Sequence, residues 1–441
     1  MIARVKQLDL FVSPPLQVKG DRPTVDHSTT FIPNQELPIH RWFRYSAGFS
    51  AAWAGAEIAK YCCPGRSLVF DPFVGCGTTL IAAQHLGVAS VGIEAHRFVL
   101  RIARAKLRWT SDVRAFESLA CHVLQHARRR RSNDLPDVPS LISRIYDDDT
   151  LRKLLAIAAA ISHAAPPKPD SPQELAWLAL VAILRACSHA NTAPWQYVLP
   201  RKRKTRVLEP FEAYGEQVAL MAHDMRVCQL SAPTRGTAAA LLGDARSCDG
   251  VADHAVDLVL TSPPYPNNYD YADATRVEMS FLGDVARWAD LHYAVRRHLI
   301  PSCSQHGSKE NLNLDELLRD SALDPIRSDL AATCCALADL RRRRAGKKTY
   351  DTMLAAYFAG MSCSWRALSR VVRPGGLVCF VVGDSAPYGV HVPVERWLGA
   401  LAEAAHFEVL RFEETRKRNV KWKNRKHRVP LHEGRLWLRR S

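Results

Sequence analysis

The period of the apolar positions changes several times along the chain, and each change marks an element. Ser67-Leu68-Val69-Phe70 is a short apolar run bounded by turn residues, which predicts a buried strand. A turn, Asp71-Pro72-Phe73-Val74-Gly75-Cys76-Gly77, follows; Thr78 to Leu86 then has helical apolar spacing and is closed by Gly87. A second strand, Ser90-Val91-Gly92-Ile93, ends on Glu94. Strand, glycine turn, helix, strand and acid in that order predict one half of a doubly wound α/β sheet. From about 98 to 235 the pattern is helical and basic, as in Glu174 to Leu184. Strand patterns resume at Ala240-Leu241-Leu242-Gly243-Asp244 and at Val256 to Leu260. A second polar helical stretch covers roughly 285 to 348, and a helix over Tyr350 to Val372 leads through Pro374-Gly375-Gly376 into the strand Leu377 to Val382. Two terminal strands, Glu408 to Glu413 and Arg435 to Arg439, suit a closing antiparallel hairpin.

This order predicts one α/β domain interrupted twice. Its parts are an N-terminal arm (1–40), a first core part with the glycine loop (41–110), a helical basic insertion (111–235), a second core part (236–284), a second helical insertion (285–349) and a C-terminal core part (350–441). The sequence shows no internal repeat and no low-complexity tract.

Charge adds a partner to this picture. Lys and Arg number 60 against 44 Asp and Glu, a net +16, and the excess is clustered at Arg128 to Arg131, Arg201 to Lys204, Arg341 to Arg344 with Lys347 and Lys348, and Arg416 to Arg428. Clusters of this kind suit the phosphates of a polyanion. No apolar run approaches the length of a membrane span and no leader pattern opens the sequence, so a cytoplasmic protein is expected. The 12 cysteines are scattered without a C-x-x-C pair. Reduced thiols are expected, with no metal site and no disulfide framework.

The chemistry gathers at predicted strand ends. Gly75 and Gly77 let the backbone approach a ligand, and the following helix start presents free N–H groups to an anion. Glu94 lies where an acid accepts hydrogen bonds from ribose hydroxyls. With Asp244 and Ser262 at two further strand ends, four polar groups share one sheet edge and define a ligand crevice. The loop departs from the dinucleotide pattern, because Thr78-Thr79 follow the second glycine, and no phosphate-binding P-loop is present. After the strand Val256 to Leu260 stands Thr261-Ser262-Pro263-Pro264-Tyr265-Pro266-Asn267-Asn268-Tyr269-Asp270-Tyr271. Its prolines donate no ladder hydrogen bond, so they end the strand and stiffen the loop.

D-P-F-x-G-x-G-T-T together with T-S-P-P-Y resembles the amino-methyltransferases of DNA, over about half of the chain. The resemblance implies a Rossmann-like class I methyltransferase sheet, mostly parallel, with an antiparallel C-terminal hairpin and helical insertions. It implies S-adenosylmethionine as cofactor and DNA, a duplex with a flipped cytosine, as partner, with a cognate restriction nuclease as a further one. Carried over residue by residue, Asp71, Phe73, Gly75, Gly77 and Thr78 line the methionine part of the cofactor. Glu94 holds the ribose and Asp244 lies near the adenine. His40 to Tyr45 fall where the family has a cofactor-contacting helix start, or else form a core aromatic cluster.

Ser262, Pro263, Pro264 and Tyr265 are the expected catalytic group. A base amine is a poor nucleophile because its lone pair is delocalised into the ring, so the site must accept its hydrogen bonds as it becomes tetrahedral. Ser262 Oγ and the Pro263 carbonyl are the expected acceptors, and Tyr265 offers a face for the flipped base. Asn267 and Asn268 are polar contacts to the base or ordinary turn residues. Asp384, in Gly383-Asp384-Ser385, faces the pocket or caps the next turn. In the resembling family S-P-P-Y goes mostly with cytosine N4, whereas adenine-N6 enzymes more often carry Asp or Asn at the serine. Carbon-5 methylation requires a cysteine that in its family follows proline, and the chain has no Pro-Cys dipeptide. Adenine-N6 methylation, RNA base methylation and a non-catalytic DNA-binding subunit stay as alternatives. For DNA itself, Arg201, Lys202, Arg203, Lys204, Asn268, Arg341, Arg342 and Lys347 are the expected contacts, the two insertions clasping the duplex from opposite sides.

Overall fold

The sheet is built by the residues that the apolar periodicity marks, and its strand order decides where a ligand can sit. The computed structural model describes residues 29–441 apart from 46, 131–134, 165–171, 194–195, 233, 268, 307–311 and 419–428. Asn268 and much of the basic run 416–428 therefore lie outside the described residues. Seven strands form the main sheet: β1 (Leu68–Asp71), β2 (Ala89–Glu94), β3 (Ala238–Leu242), β4 (Val256–Thr261), β5 (Val372–Gly383), β6 (Phe407–Arg418) and β7 (Leu431–Arg440). Their spatial order is β3-β2-β1-β4-β5-β7-β6. The first five are parallel, and β7 runs antiparallel between β5 and β6. The mostly parallel α/β sheet with its closing antiparallel hairpin is the architecture that the residue pattern predicts.

Between β1 and β4 the direction of strand progression reverses, which leaves a crevice at their carboxyl ends. Asp71 occupies that point. Its Oδ1 accepts from Phe73 N at 3.0 Å and Thr261 Oγ1 at 2.6 Å, and its Oδ2 from Thr79 Oγ1 at 2.7 Å. One carboxylate thus ties together the end of β1, the end of β4 and the first turn of helix α2 (Thr78–His85).

The faces of the sheet are covered unequally. Helix α1 (Ala51–Tyr61) packs Trp53, Ala54 and Ile58 against Val69, Leu258 and Leu260. On another face, the long helix Tyr350–Val371 buries Tyr357, Phe358 and Trp365 against β4 and β5, with Trp365 stacked on Phe380 at 4.4 Å between ring centroids.

The helical insertion forms a bundle from Val113–Arg129, Asp148–His163, Gln173–Ile183 and Pro210–Ser231. Its apolar core is continuous with Phe31, Trp42 and helix α3 (Arg97–Lys106). The helical reading of 98–235 needs one correction: Ala190–Thr192 and Val198–Arg203 pair as an antiparallel ribbon. The basic run Arg201 to Arg203 therefore stands on a strand, where neighbouring side chains alternate between faces.

Candidate functional site

A cavity of about 800 Å³ opens at the carboxyl edge of the sheet. It brings together Asp71, Phe73, Gly75, Thr78, Glu94, Asp244, Ser262, Pro264 and Tyr265, which come from four segments far apart in sequence. Gly77 and Pro263, buried in the same two loops, are not among the lining residues.

The glycine loop has its shape because two of its residues take left-handed backbone angles, with φ 53° at Gly75 and 93° at Gly77. A side chain there would be strained. Gly77 also caps α2 without a side chain, so the first N–H groups of the helix have no side-chain acceptor. Glu94, at the end of β2, holds the loop from the other side: its Oε2 accepts from Gly75 N and its Oε1 from His96 N, each at 2.9 Å. A carboxylate oxygen accepts more than one hydrogen bond, so both keep lone pairs for a sugar. Burial pushes the Glu94 carboxyl up to about 7 and Asp71 up to about 6.

The other assigned residues divide by role. Asp71 spends both oxygens inside the fold and shapes the loop. Asp244 accepts from Arg246 Nε at 2.9 and 2.8 Å through its two oxygens. The segment His40 to Tyr45 splits: His40 and Trp42 are buried in the core, while Arg44 and Tyr45 line the cavity.

Ser262 leaves β4 and donates its hydroxyl to the carbonyl of Val381 on β5 at 3.2 Å. Its side chain also hydrogen-bonds that of Tyr265, so Ser262 links the end of the strand to the aromatic of the same motif. The Pro-Pro loop is held behind by Ser385 Oγ, which donates to the Pro266 carbonyl at 2.6 Å. Tyr265 has its hydroxyl pushed up in pKa, first by burial and then by the charge of Glu433. The rest of the motif is structural. Asn267 Oδ1 accepts from Tyr269 N at 3.1 Å, and Asp270 caps the turn Tyr271–Ala274 while pairing with buried Arg296 at 2.7 Å.

Several cavity residues carry no motif. Arg418, on β6, lies with its guanidinium 5.8 Å from the Tyr265 ring centroid, and Arg416 pairs with buried Glu433 at 2.9 Å. Lys417 lines the same rim. Their only sequence signal is membership of the basic run 416–428, which says nothing about the Tyr265 face.

Among the expected DNA contacts, Arg201, Lys202 and Arg203 are exposed. Lys204 turns inward to the Arg185 carbonyl, and burial lowers its pKa. Arg341 is bound to Asp351 at 3.1 Å, Arg342 pairs with Asp339, and Lys347 is exposed. The ribbon carrying Arg201 to Arg203 is tied to the catalytic segment by the Tyr197 hydroxyl, which accepts from Asp270 N at 2.7 Å. Arg185 adds a second tie through Glu278 at 2.5 Å.

A strand-order reversal beside a glycine loop, with a buried acid and a Ser-Pro-Pro-Tyr loop on one cavity, is the architecture of a Rossmann-like methyltransferase fold. Residues 23–105 match the family model of the N6/N4 DNA methylases. Over 428 residues the chain is 24% identical to the type II methyltransferase M.AvaI of Nostoc sp. (strain PCC 7120), covering 86% of this chain and 81% of that protein. The match to M.AvaI of Anabaena variabilis has the same values, and M.BsoBI of Geobacillus stearothermophilus is 22% identical over 424 residues, 86% of this chain and 80% of that one. Both comparisons relate the chain to the N6/N4 DNA methylases and to type II methyltransferases, enzymes whose methyl donor is S-adenosylmethionine.

The cavity fits that donor: an uncapped helix start for a carboxylate, a buried acid for ribose hydroxyls, and Phe73, Val74 and Ile300 for apolar contact. Ribose hydroxyls donate best to ionised Glu94, so binding should favour its deprotonated form. Cofactor affinity is expected to rise with pH up to about 7 and level off above it. Calorimetric titration across pH 5.5 to 8.5 (roughly one and a half units either side of that value) checks this, and Glu94→Gln should flatten the profile.

Proposed function

We propose that the chain methylates the exocyclic N4 amine of cytosine at a specific site in duplex DNA, with the target base flipped into the cavity. The observation that carries this reading is Ser262. It stands at the end of β4 on the same cavity as the glycine loop, with its hydroxyl directed to Val381 and its side chain bonded to that of Tyr265. Bound S-adenosylmethionine supplies an electrophilic methyl group on its sulfonium. Ser262 Oγ and the Pro263 carbonyl accept the amine hydrogens as the nitrogen loses conjugation with the ring, which aims the lone pair and stabilises the developing charge. Tyr265 provides the stacking face that offsets unstacking of the base, about a few kcal/mol. Phe73, Gly75, Gly77 and Thr78 would enclose the methionine portion, Glu94 the ribose and Asp244 the adenine side, while Asp71 fixes the loop they share. Serine at position 262, rather than an acid or amide, supports cytosine N4 over adenine N6.

A cytoplasmic setting and a cognate restriction nuclease follow from the same reading, the latter supported by relatives named as type II methyltransferases. The test is to express the chain in a host without DNA methylation, digest its DNA to nucleosides and identify them by mass spectrometry. N4-methylcytosine is expected; N6-methyladenine would overturn the base assignment and leave the fold and donor in place.

Arg201, Lys202, Arg203 and Lys347, with Arg341 and Arg342 released from their acidic partners, would contact phosphates. Both insertions reach loops at the catalytic edge: the ribbon through Tyr197, and the helix Arg327–Arg343 through Arg344, which donates to the Tyr388 carbonyl at 3.4 Å. Neutralising Arg201, Lys202 and Arg203 together should weaken DNA binding similarly for all sequences. The slope of log affinity against log salt should fall by about one for each charge removed. Fluorescence anisotropy over a salt series measures it.

A further inference from the structure

Beyond the catalytic cavity, the loop after β5 meets the start of β7 and the first turn of helix Val394–Ala404. Three ligand-type side chains, Asp384, Glu395 and His432, converge there, and a fourth, His391, stands against Asp384. Nε2 of His391 lies 2.8 Å from Asp384 Oδ2, Nε2 of His432 lies 3.1 Å from the same oxygen, and His432 Nε2 lies 3.4 Å from Glu395 Oε1. One ligand atom from each of Asp384, Glu395 and His432 falls within 4.8 Å of the others. Ligands bound to a tetrahedral zinc ion at about 2.0–2.1 Å are separated by about 3.3 Å, close to the Asp384–His432 and His432–Glu395 separations.

Two carboxylate oxygens of the cluster are left without a hydrogen-bond donor. Asp384 is fully buried, and its Oδ1, like Oε2 of Glu395, accepts no hydrogen bond. Two carboxyl groups facing each other out of water cannot both stay ionised without a proton or a cation between them. The neighbouring guanidinium of Arg418 is directed to the Asp384 backbone carbonyl and to Glu433, 3.5 Å away. It leaves both carboxyl groups to the histidines and to each other.

We propose that Asp384, Glu395, His391 and His432 form a binding site for a zinc-type divalent transition metal. The sequence hides it, because the ligands are spread over about fifty residues on three elements without motif spacing. His391, 43% exposed, provides the entry side. The ion would be structural: it would pin β7 and the 384–395 loop behind Ser385, whose hydroxyl holds the Pro-Pro loop at Pro266.

The test uses the full chain, stripped with a chelator, dialysed against Zn²⁺ and assayed by elemental mass spectrometry beside a His391→Gln/His432→Gln variant. One zinc per wild-type chain is expected, lost in the double variant, together with a higher melting temperature of the loaded wild type. Co²⁺ should give the intense visible bands of a low-coordinate site. Should the double variant fail to fold, His391→Gln alone, on an accessible loop, is expected to lower Zn²⁺ affinity about 10–100-fold. No zinc retained by the wild type, or equal retention or affinity in the variants, overturns the proposal and leaves a proton shared between the two carboxyl groups. Neither result bears on which base is methylated.

Discussion

Ser262→Ala is expected to slow turnover severely while leaving S-adenosylmethionine affinity nearly unchanged. The hydroxyl touches the Val381 carbonyl and opens on the cavity, but forms no part of the glycine loop or of the Glu94 network that would hold the donor. Losing one acceptor of a preorganised pair costs a factor of about 10²–10³ in the chemical step. The remaining acceptor, the Pro263 carbonyl, cannot move to compensate because Pro264 and the Ser385–Pro266 contact hold the loop. Single-turnover methyl transfer with saturating DNA, set beside calorimetric donor binding, separates the two effects. Equal loss of binding and turnover would mean that Ser262 supports the donor site and that the catalytic assignment is wrong.

The largest effect on stability is expected far from the chemistry. Asp224, on the insertion helix Pro210–Ser231, is fully buried and accepts from Ile39 N at 3.2 Å, Arg41 Nε at 3.0 Å and Trp42 Nε1 at 3.0 Å. Asp224→Ala leaves the Ile39 and Trp42 donors buried without an acceptor and the half-buried Arg41 without its carboxylate, a loss of about 3–5 kcal/mol. Asp224→Asn keeps part of the acceptor capacity and should fall between wild type and alanine. Because Asp224 anchors the segment that continues into Arg44, Tyr45 and Phe49 on the cavity wall, the alanine variant should also bind donor more weakly. Chemical denaturation monitored by circular dichroism gives the first quantity, and calorimetry at a temperature where the variant is folded gives the second. An unchanged midpoint would show that the segment 31–45 is not held through Asp224.

These two residues mark the limits of a reading by pattern. Ser262 was legible because a strand of period-independent apolar residues ends on a Pro-Pro turn, and such local backbone chemistry is written in consecutive residues. The same holds for the glycine loop, where positive φ demands glycine at 75 and 77, and for the acid that ends β2. Asp224 was not legible. It is one acid in a long amphipathic helix, and its partners lie more than 180 residues away in sequence.

The secondary structure was legible wherever periodicity was strong. It failed at Ala190–Arg203, a short basic ribbon whose pairing partner is tertiary. Strand β5 also begins earlier than its apolar run, at Val372, since Pro374-Gly375-Gly376 is accommodated by a register shift against β4. Charge clusters were visible as runs, but not their use: Lys204 and Arg341 are committed inside the fold, Arg201 to Arg203 face solvent, and Arg418 lies over Tyr265.

By itself, then, the sequence determined the sheet, its strand ends and the identity of the groups that stand there, because each depends on neighbours a few residues apart. The tertiary structure alone decided which of those groups face the cavity, which are consumed in holding it together, and which distant acids and histidines meet. Those outcomes depend on packing between segments hundreds of residues apart, where buried charges must find partners and no local pattern records the pairing.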